Sequence, residues 1–139
     1  MKLTDEKIAY AKSQVTMSIN DKEHAHPENW TNDSIRIAHQ WLSPQITLQK
    51  TNKKTTTYKL KHYIEQWAGA YIPEYSVKIA AYFLKDIKLK TFANGTVHYF
   101  NISSTLIEPS KNRLTDIQQA FSIPEYLEQN YPQIYSKQE

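Results

Sequence analysis

The sequence predicts an α+β fold, mostly helical, with one β-hairpin. Three observations predict it. Apolar residues recur at spacings of three and four in four separate segments, the period of a helix buried on one face. Two runs that alternate apolar and polar residues flank Asn94-Gly95, a pair that tolerates the positive φ of a tight turn. Capping threonines, Gly69 and Pro73 fall where those segments begin and end. With 139 residues, 40% hydrophobic and 12% aromatic, the chain can fill one core. One domain, 1–139, is expected: an N-terminal helix and loop at 1–29, a core at 30–103 and a wrapping tail at 104–139.

Thr4 can cap a first helix with Ile8, Ala11 and Val15 on one face, and Asp5 and Glu6 suit the positive end of its dipole. Residues 20–29 are polar, contain Pro27 and read as a loop. Thr31 caps a second helix, whose face is Ile35, Ala38 and Trp41/Leu42 and which Ser43-Pro44 closes. A short strand is expected at 46–48, then a polar, basic loop. Thr56 or Thr57 caps a third helix with Leu60, Ile64 and Trp67 at i, i+4, i+7, and Gly69 ends it. Pro73 suits the first position of a fourth helix reaching 85. Val77, Ala80, Ala81 and Leu84 form its face, and Tyr75, Ile79, Tyr82 and Phe83 extend it nearly all round, leaving a polar strip at Glu74, Lys78 and Lys85. A helix so apolar belongs at the centre of a fold. Strands follow at 87–92 and 97–102. In the tail, 114–121 reads as a helix and Pro124 as the start of a last short one.

Charge is unevenly distributed. Residues 49–90 hold nine lysines against three acids (Glu65, Glu74, Asp86), a net +6, whereas the whole chain is +3, so the remainder is −3. A local basic block speaks to partners rather than to fold. Helix 32–42, strand 46–48, helices 57–68 and 73–85 and the two hairpin strands run in the order of a winged-helix domain, in which the last helix enters the DNA major groove and the hairpin touches phosphates. Lys50, Lys53, Lys54, Lys59, Lys61, Lys78, Lys85, Lys88 and Lys90 would supply the phosphate contacts. Against that stand the apolar fourth helix and the scarcity of arginine, with only Arg36 and Arg113 present. The structural alternative is a small α+β domain with a solvated lysine face.

Other chemistries find little support. There is no cysteine, so disulfides, cysteine-ligated metals and a thiol nucleophile are excluded. Two glycines cannot build a P-loop or a dinucleotide fingerprint. His24-x-His26 with Glu28 is a loop pair that lacks a second pair at metal-ligand spacing. Glu74 with Asp86-Ile87-Lys88 loosely matches a metal-dependent nuclease pattern, but Glu74 sits at a helix start rather than on a strand. His62 and Glu65 are helical i, i+3 neighbours, a functional cluster or an ordinary surface pair. Trp30, Trp41 and Trp67 read as core anchors. The N-terminus lacks an apolar h-region, and no run approaches the roughly 18 apolar residues of a spanning helix.

The segment Tyr58-Lys59-Leu60-Lys61-His62-Tyr63-Ile64-Glu65, with Gly69, Tyr71-Ile72, Ala80-Ala81 and Asn101-Ile102-Ser103, resembles short uncharacterised bacterial proteins of the mobile gene pool, encoded on integron cassettes, phages and plasmids. The shared pattern, Y-x-L-K-H-x-x-E, then G-x-Y-I, A-A and N-I-S, spans about 45 residues, a third of the chain. Pro73-Glu74-Tyr75 stands where that pattern has a small turn. The resemblance implies a bacterial, cytoplasmic accessory protein and carries no activity, so Lys61, His62 and Glu65 are site or scaffold.

The expected function is a non-enzymatic accessory protein that binds a macromolecule, nucleic acid first. The alternatives are a protein-binding module, such as an inhibitor or antagonist, and, behind it, a metal-dependent hydrolase. The partners to test are nucleic acid, another protein and a second copy of the chain. No membrane, cofactor or bound metal is expected.

Overall fold

The computed structural model describes residues 3–15, 32–92, 95, 97–129 and 133–139. Their elements are α1 (Asp5–Gln14), α2 (Asn32–Leu42), α3 (Thr57–Ala68), α4 (Glu74–Tyr82), β1 (Leu89–Phe92), β2 (Val97–Phe100), β3 (Leu106–Glu108), a 3-10 turn (Lys111–Leu114), α5 (Pro124–Leu127) and β4 (Tyr135–Gln138). The α+β class read from the sequence holds.

Local chemistry sets the helix ends. Thr4 Oγ1 accepts from Lys7 N at 3.3 Å and Thr56 Oγ1 from Lys59 N at 3.1 Å, each satisfying a first-turn amide. Thr31, Trp30 and the His24-x-His26 pair lie outside the described residues. Gly69 ends α3 at φ +59, which favours glycine, and a Cβ there would sit 3.0 Å from Leu127 Cγ, so that side chain would have to give way. Phe121 N and Ile123 N donate to the carbonyls of Ala68 and Gly69, each at 2.7 Å, so the tail caps α3.

Helix α4 is the centre of the fold, packed against α1, α2 and α3, with every residue from Tyr75 to Ala81 buried. Trp41, Leu60, Ile64, Trp67, Val77 and Ala80 join one core, as the apolar spacing predicts. Leu84 does not belong to its centre: α4 stops at Tyr82, short of the expected 85, and Leu84 is a half-buried flank.

β1 and β2 pair antiparallel from Leu89↔Phe100 to Phe92↔Val97. Between the strands Gly95 has φ +86, and Asn94 lies outside the described residues. The expected strand at 46–48 is reduced to a bridge, Thr47↔Ile102, and a second bridge joins Thr56↔Tyr99. Segment 47–56 thus touches the chain from Tyr99 to Ile102, on the side opposite β1, and loops out between these contacts. Asn101 rivets three segments: its Nδ2 donates to the carbonyls of Leu48 (2.8 Å) and Asp86 (3.0 Å), and its Oδ1 accepts from Lys88 N at 2.6 Å.

The tail departs most from expectation. No helix spans 114–121: a 3-10 turn ends at Leu114, turns follow, and Phe121 takes φ +63. The apolar residues there serve turns laid against the core rather than one helical face. Pro124 does open α5. β4 pairs parallel to β3, and Gln45 acts as a strand partner for Ile107, donating to its carbonyl at 2.8 Å and accepting from its amide at 3.0 Å.

Candidate nucleic-acid interface

Register outward from the hairpin turn sorts the side chains of β1 and β2 onto two faces. His98 and Phe100 point inward and are buried. Lys90 stands opposite Tyr99 and Phe92 opposite Val97 on the outer face. The bond from Asn101 N to Lys88 O, 3.2 Å, continues the same register, so Lys88 follows Lys90. The Phe92 and Tyr99 rings meet edge on, centroids 5.2 Å apart, and Lys90 Nζ lies 5.4 Å from the Phe92 ring. Phe92 is 36% exposed. Lys90 on β1 and Lys88 just before it are exposed, and so are Lys50, Lys53 and Lys54 in the loop on the other side of β2. The Thr56↔Tyr99 bridge starts α3 at the rim of this face, with Tyr58 and Lys59 exposed in its first turn.

The remaining lysines of the block part company with these. Lys85 is exposed beyond α4 and its carbonyl accepts from Lys88 Nζ at 2.8 Å. Lys61 is largely buried, ion-paired to Glu65 at 3.0 Å and 5.3 Å from the Tyr71 ring centre. Lys78 leaves the candidate set: it is 4% exposed, and its amine meets His98 Nε2 at 2.8 Å beneath the sheet. The other ring nitrogen of His98, Nδ1, lies 2.9 Å from Thr91 Oγ1. A lysine enclosed in this way cannot reach a phosphate.

Glu65 organises the other candidate cluster. Its Oε1 accepts from Lys61 Nζ (3.0 Å) and His62 Nδ1 (3.2 Å), and its Oε2 from Ile72 N (3.3 Å). The buried carboxylate therefore closes the turn after Gly69, a scaffold role that accounts for all three donors. Partial burial and the adjacent Lys61 charge hold the His62 pKa below its ordinary value, against the opposing pull of Glu65. Tyr58 stacks edge on against His62, centroids 4.6 Å apart.

The nuclease-like trio does not converge. Glu74 opens α4 and Asp86 lies beyond its other end, with about 15 Å of helix between them. Among the described residues no group of three or more His, Cys, Asp or Glu could hold a metal ion. No helix among them is long and apolar enough to cross a membrane.

Sequence reasoning missed Phe92 and Tyr99 as candidate residues, although counting register outward from Asn94-Gly95 places both beside Lys90. It also missed Asn101 and Gln45, whose bonds join distant segments and leave no periodic trace.

No protein family, curated protein or solved structure matches the chain.

Proposed function

We propose that the chain is a non-enzymatic accessory protein, of the bacterial mobile-element kind its resemblance implies, that binds single-stranded nucleic acid through the outer face of the hairpin. The observation that carries this reading is the Phe92–Tyr99 pair with Lys90 over the Phe92 ring, on a sheet whose neighbouring segments expose Lys88 and Lys50, Lys53 and Lys54. Exposed aromatic rings stack on unpaired bases whatever their identity, and lysines hold the backbone as point charges. Duplex reading by a recognition helix is disfavoured, because α4 is buried along its length. Sequence preference is therefore weak.

Fluorescence anisotropy with labelled oligo-dT, an unstructured RNA and a duplex, over a range of salt, tests the proposal. Five lysine contacts on a single strand give a slope of about −3.5 in log K against log salt. Phe92→Ala and Tyr99→Ala each weaken single-strand binding while leaving the slope intact. Absence of salt-sensitive binding to all three probes at low ionic strength overturns the reading.

A protein-binding module is the second reading, and the same strand favours it. Among the described residues the outer edge of β1 pairs with no strand, and it carries the exposed Leu89 and Phe92. Such an edge takes an added strand from a partner or from a second copy. Lysines on an edge strand also discourage unwanted pairing, so Lys88 and Lys90 have a structural use under either reading. Partner capture that persists at high salt, without nucleic-acid binding, selects this alternative.

A further inference from the structure

The outer face is wider than the hairpin. Residues 46–48 run antiparallel beside 101–103: Leu48 N donates to Asn101 O at 2.6 Å and Ser103 N to Ile46 O at 2.8 Å, with Thr47 and Ile102 bridged between them. Residues opposed across such a bridge point their side chains to the same side, and their neighbours along each chain point to the other. Phe100 and Ile102 are wholly buried, so Thr47 stands on the inner side, where it lines a cleft with Leu42 and Leu84. Ile46 and Leu48 therefore face outward, on the side that carries Phe92 and Tyr99. Both are exposed, and Leu48 keeps 42% of its surface in water.

The face is arranged in rows. Lys90 stands beside Tyr99 in one row. In the next, Lys88 and Leu48 lie on either side of Asn101, which donates from N to Lys88 O at 3.2 Å and accepts at O from Leu48 N. Lysines thus follow the β1 side of the face, and aliphatic side chains the opposite side at its base. Both amide hydrogens of Asn101 are already donated, to Leu48 O and Asp86 O, so none is left for a ligand. From the Phe92–Val97 pair to Ser103 and Ile46 the face extends along the chain from 97 to 103, about 20 Å of extended backbone.

We propose that Leu48 and Ile46 are further binding residues of this face, and that its ligand is an extended single strand with about four nucleotides in contact, phosphates along Lys90 and Lys88 and bases laid over Tyr99, Leu48 and Ile46. The inference rests on the nucleic-acid reading above and adds the length and course of the ligand to it. An isolated exposed aliphatic side chain is ordinary. Two of them in line with an aromatic pair, and across from a row of lysines, make a surface with one charged edge and one apolar edge. An unpaired strand has the matching cross-section, anionic along its backbone and apolar on its base faces. Aliphatic contact covers a base face whatever the base, and Asn101 has no donor to spare, so the added contacts bring affinity without sequence preference.

The test is fluorescence anisotropy of the full chain with labelled oligo-dT of two, four, six and eight nucleotides at fixed low salt, for the wild type, Leu48→Ala and Leu89→Ala. Leu89 is the control: it is 37% exposed but stands opposite Phe100, on the inner side of the sheet. Affinity should step up by about tenfold from two to four nucleotides, as bases reach Leu48 and Ile46, and rise more gently beyond. Leu48→Ala should weaken binding of the six-nucleotide strand by about fivefold, the low end of what one base contact supplies, with the salt slope unchanged because no charge is lost. Leu89→Ala should leave binding as it is. Affinity that grows by the same factor with every added pair of nucleotides, or that responds equally to the two leucine changes or to neither, overturns this inference and leaves the hairpin reading standing. Absence of binding to all four strands removes both.

Discussion

Lys78 and Lys90 belong to the same basic block and end in opposite environments. On α4, Lys78 is enclosed by core elements and its amine meets an imidazole. On β1, Lys90 is exposed and leans over Phe92. A helix at the centre of a fold buries whatever stands on its polar strip, whereas an edge strand keeps one whole face in water. Counting charge along the chain therefore overestimates the basic surface. α4 is a stability element and the hairpin the proposed interaction element, and the variants below separate the two, from the largest expected effect to the smallest.

Ile79→Ala on α4 should destabilise the protein by about 2–5 kcal/mol, and Leu89→Ala on β1 by about 0.5 kcal/mol or less, in urea denaturation. Equal losses would erase the distinction between the regions. Asn101→Ala, which unties β2 from the 47–56 segment and from the turn after α4, should cost about 2–3 kcal/mol by the same measurement. A loss comparable to that at an exposed position would mean that its three bonds are replaced by water.

The glycines divide along the same line. Gly69→Ala meets both a positive φ and Leu127, so about 2 kcal/mol is expected, whereas Gly95→Ala on the hairpin meets only its φ, with open space around it, and should cost about 1 kcal/mol. A larger loss at Gly95 would make the hairpin the more tightly specified region.

pH sharpens the comparison from the helical side. The pKa of His39 is lowered on folding, so the unfolded chain binds its proton more readily. Stability from this group is full above the unfolded value of about 6.5 and is lost as pH falls through that value toward the folded pKa. His39→Phe should flatten that part of the stability profile, while Lys90→Ala should leave it unchanged. Lys90→Ala instead should reduce the salt slope of single-strand binding by about 0.7 and shift stability by no more than about 0.5 kcal/mol. If Lys78→Met, at the buried counterpart, weakens binding as much as Lys90→Ala does, the division between the two lysines fails.

Much of this architecture is legible in the sequence because its causes are local. Thr4, Thr56 and Gly69 mark helix ends through bonds made within one turn, and the spacing of Leu60, Ile64 and Trp67 selects the buried face of α3 without reference to any other segment. Alternation on either side of Asn94-Gly95 likewise carries the hairpin register. The tertiary structure alone decided which lysines stay in water, that 114–121 lies down as turns rather than a helix, and that β4 returns parallel to β3. It also decided that Asn101 and Gln45 serve backbone groups far away in sequence and that His39 is buried with its ring nitrogens unpaired among the described residues. These outcomes depend on which surfaces meet after the chain has closed long loops. A backbone carbonyl waiting for an asparagine some fifty residues away imposes no period on the residues around it.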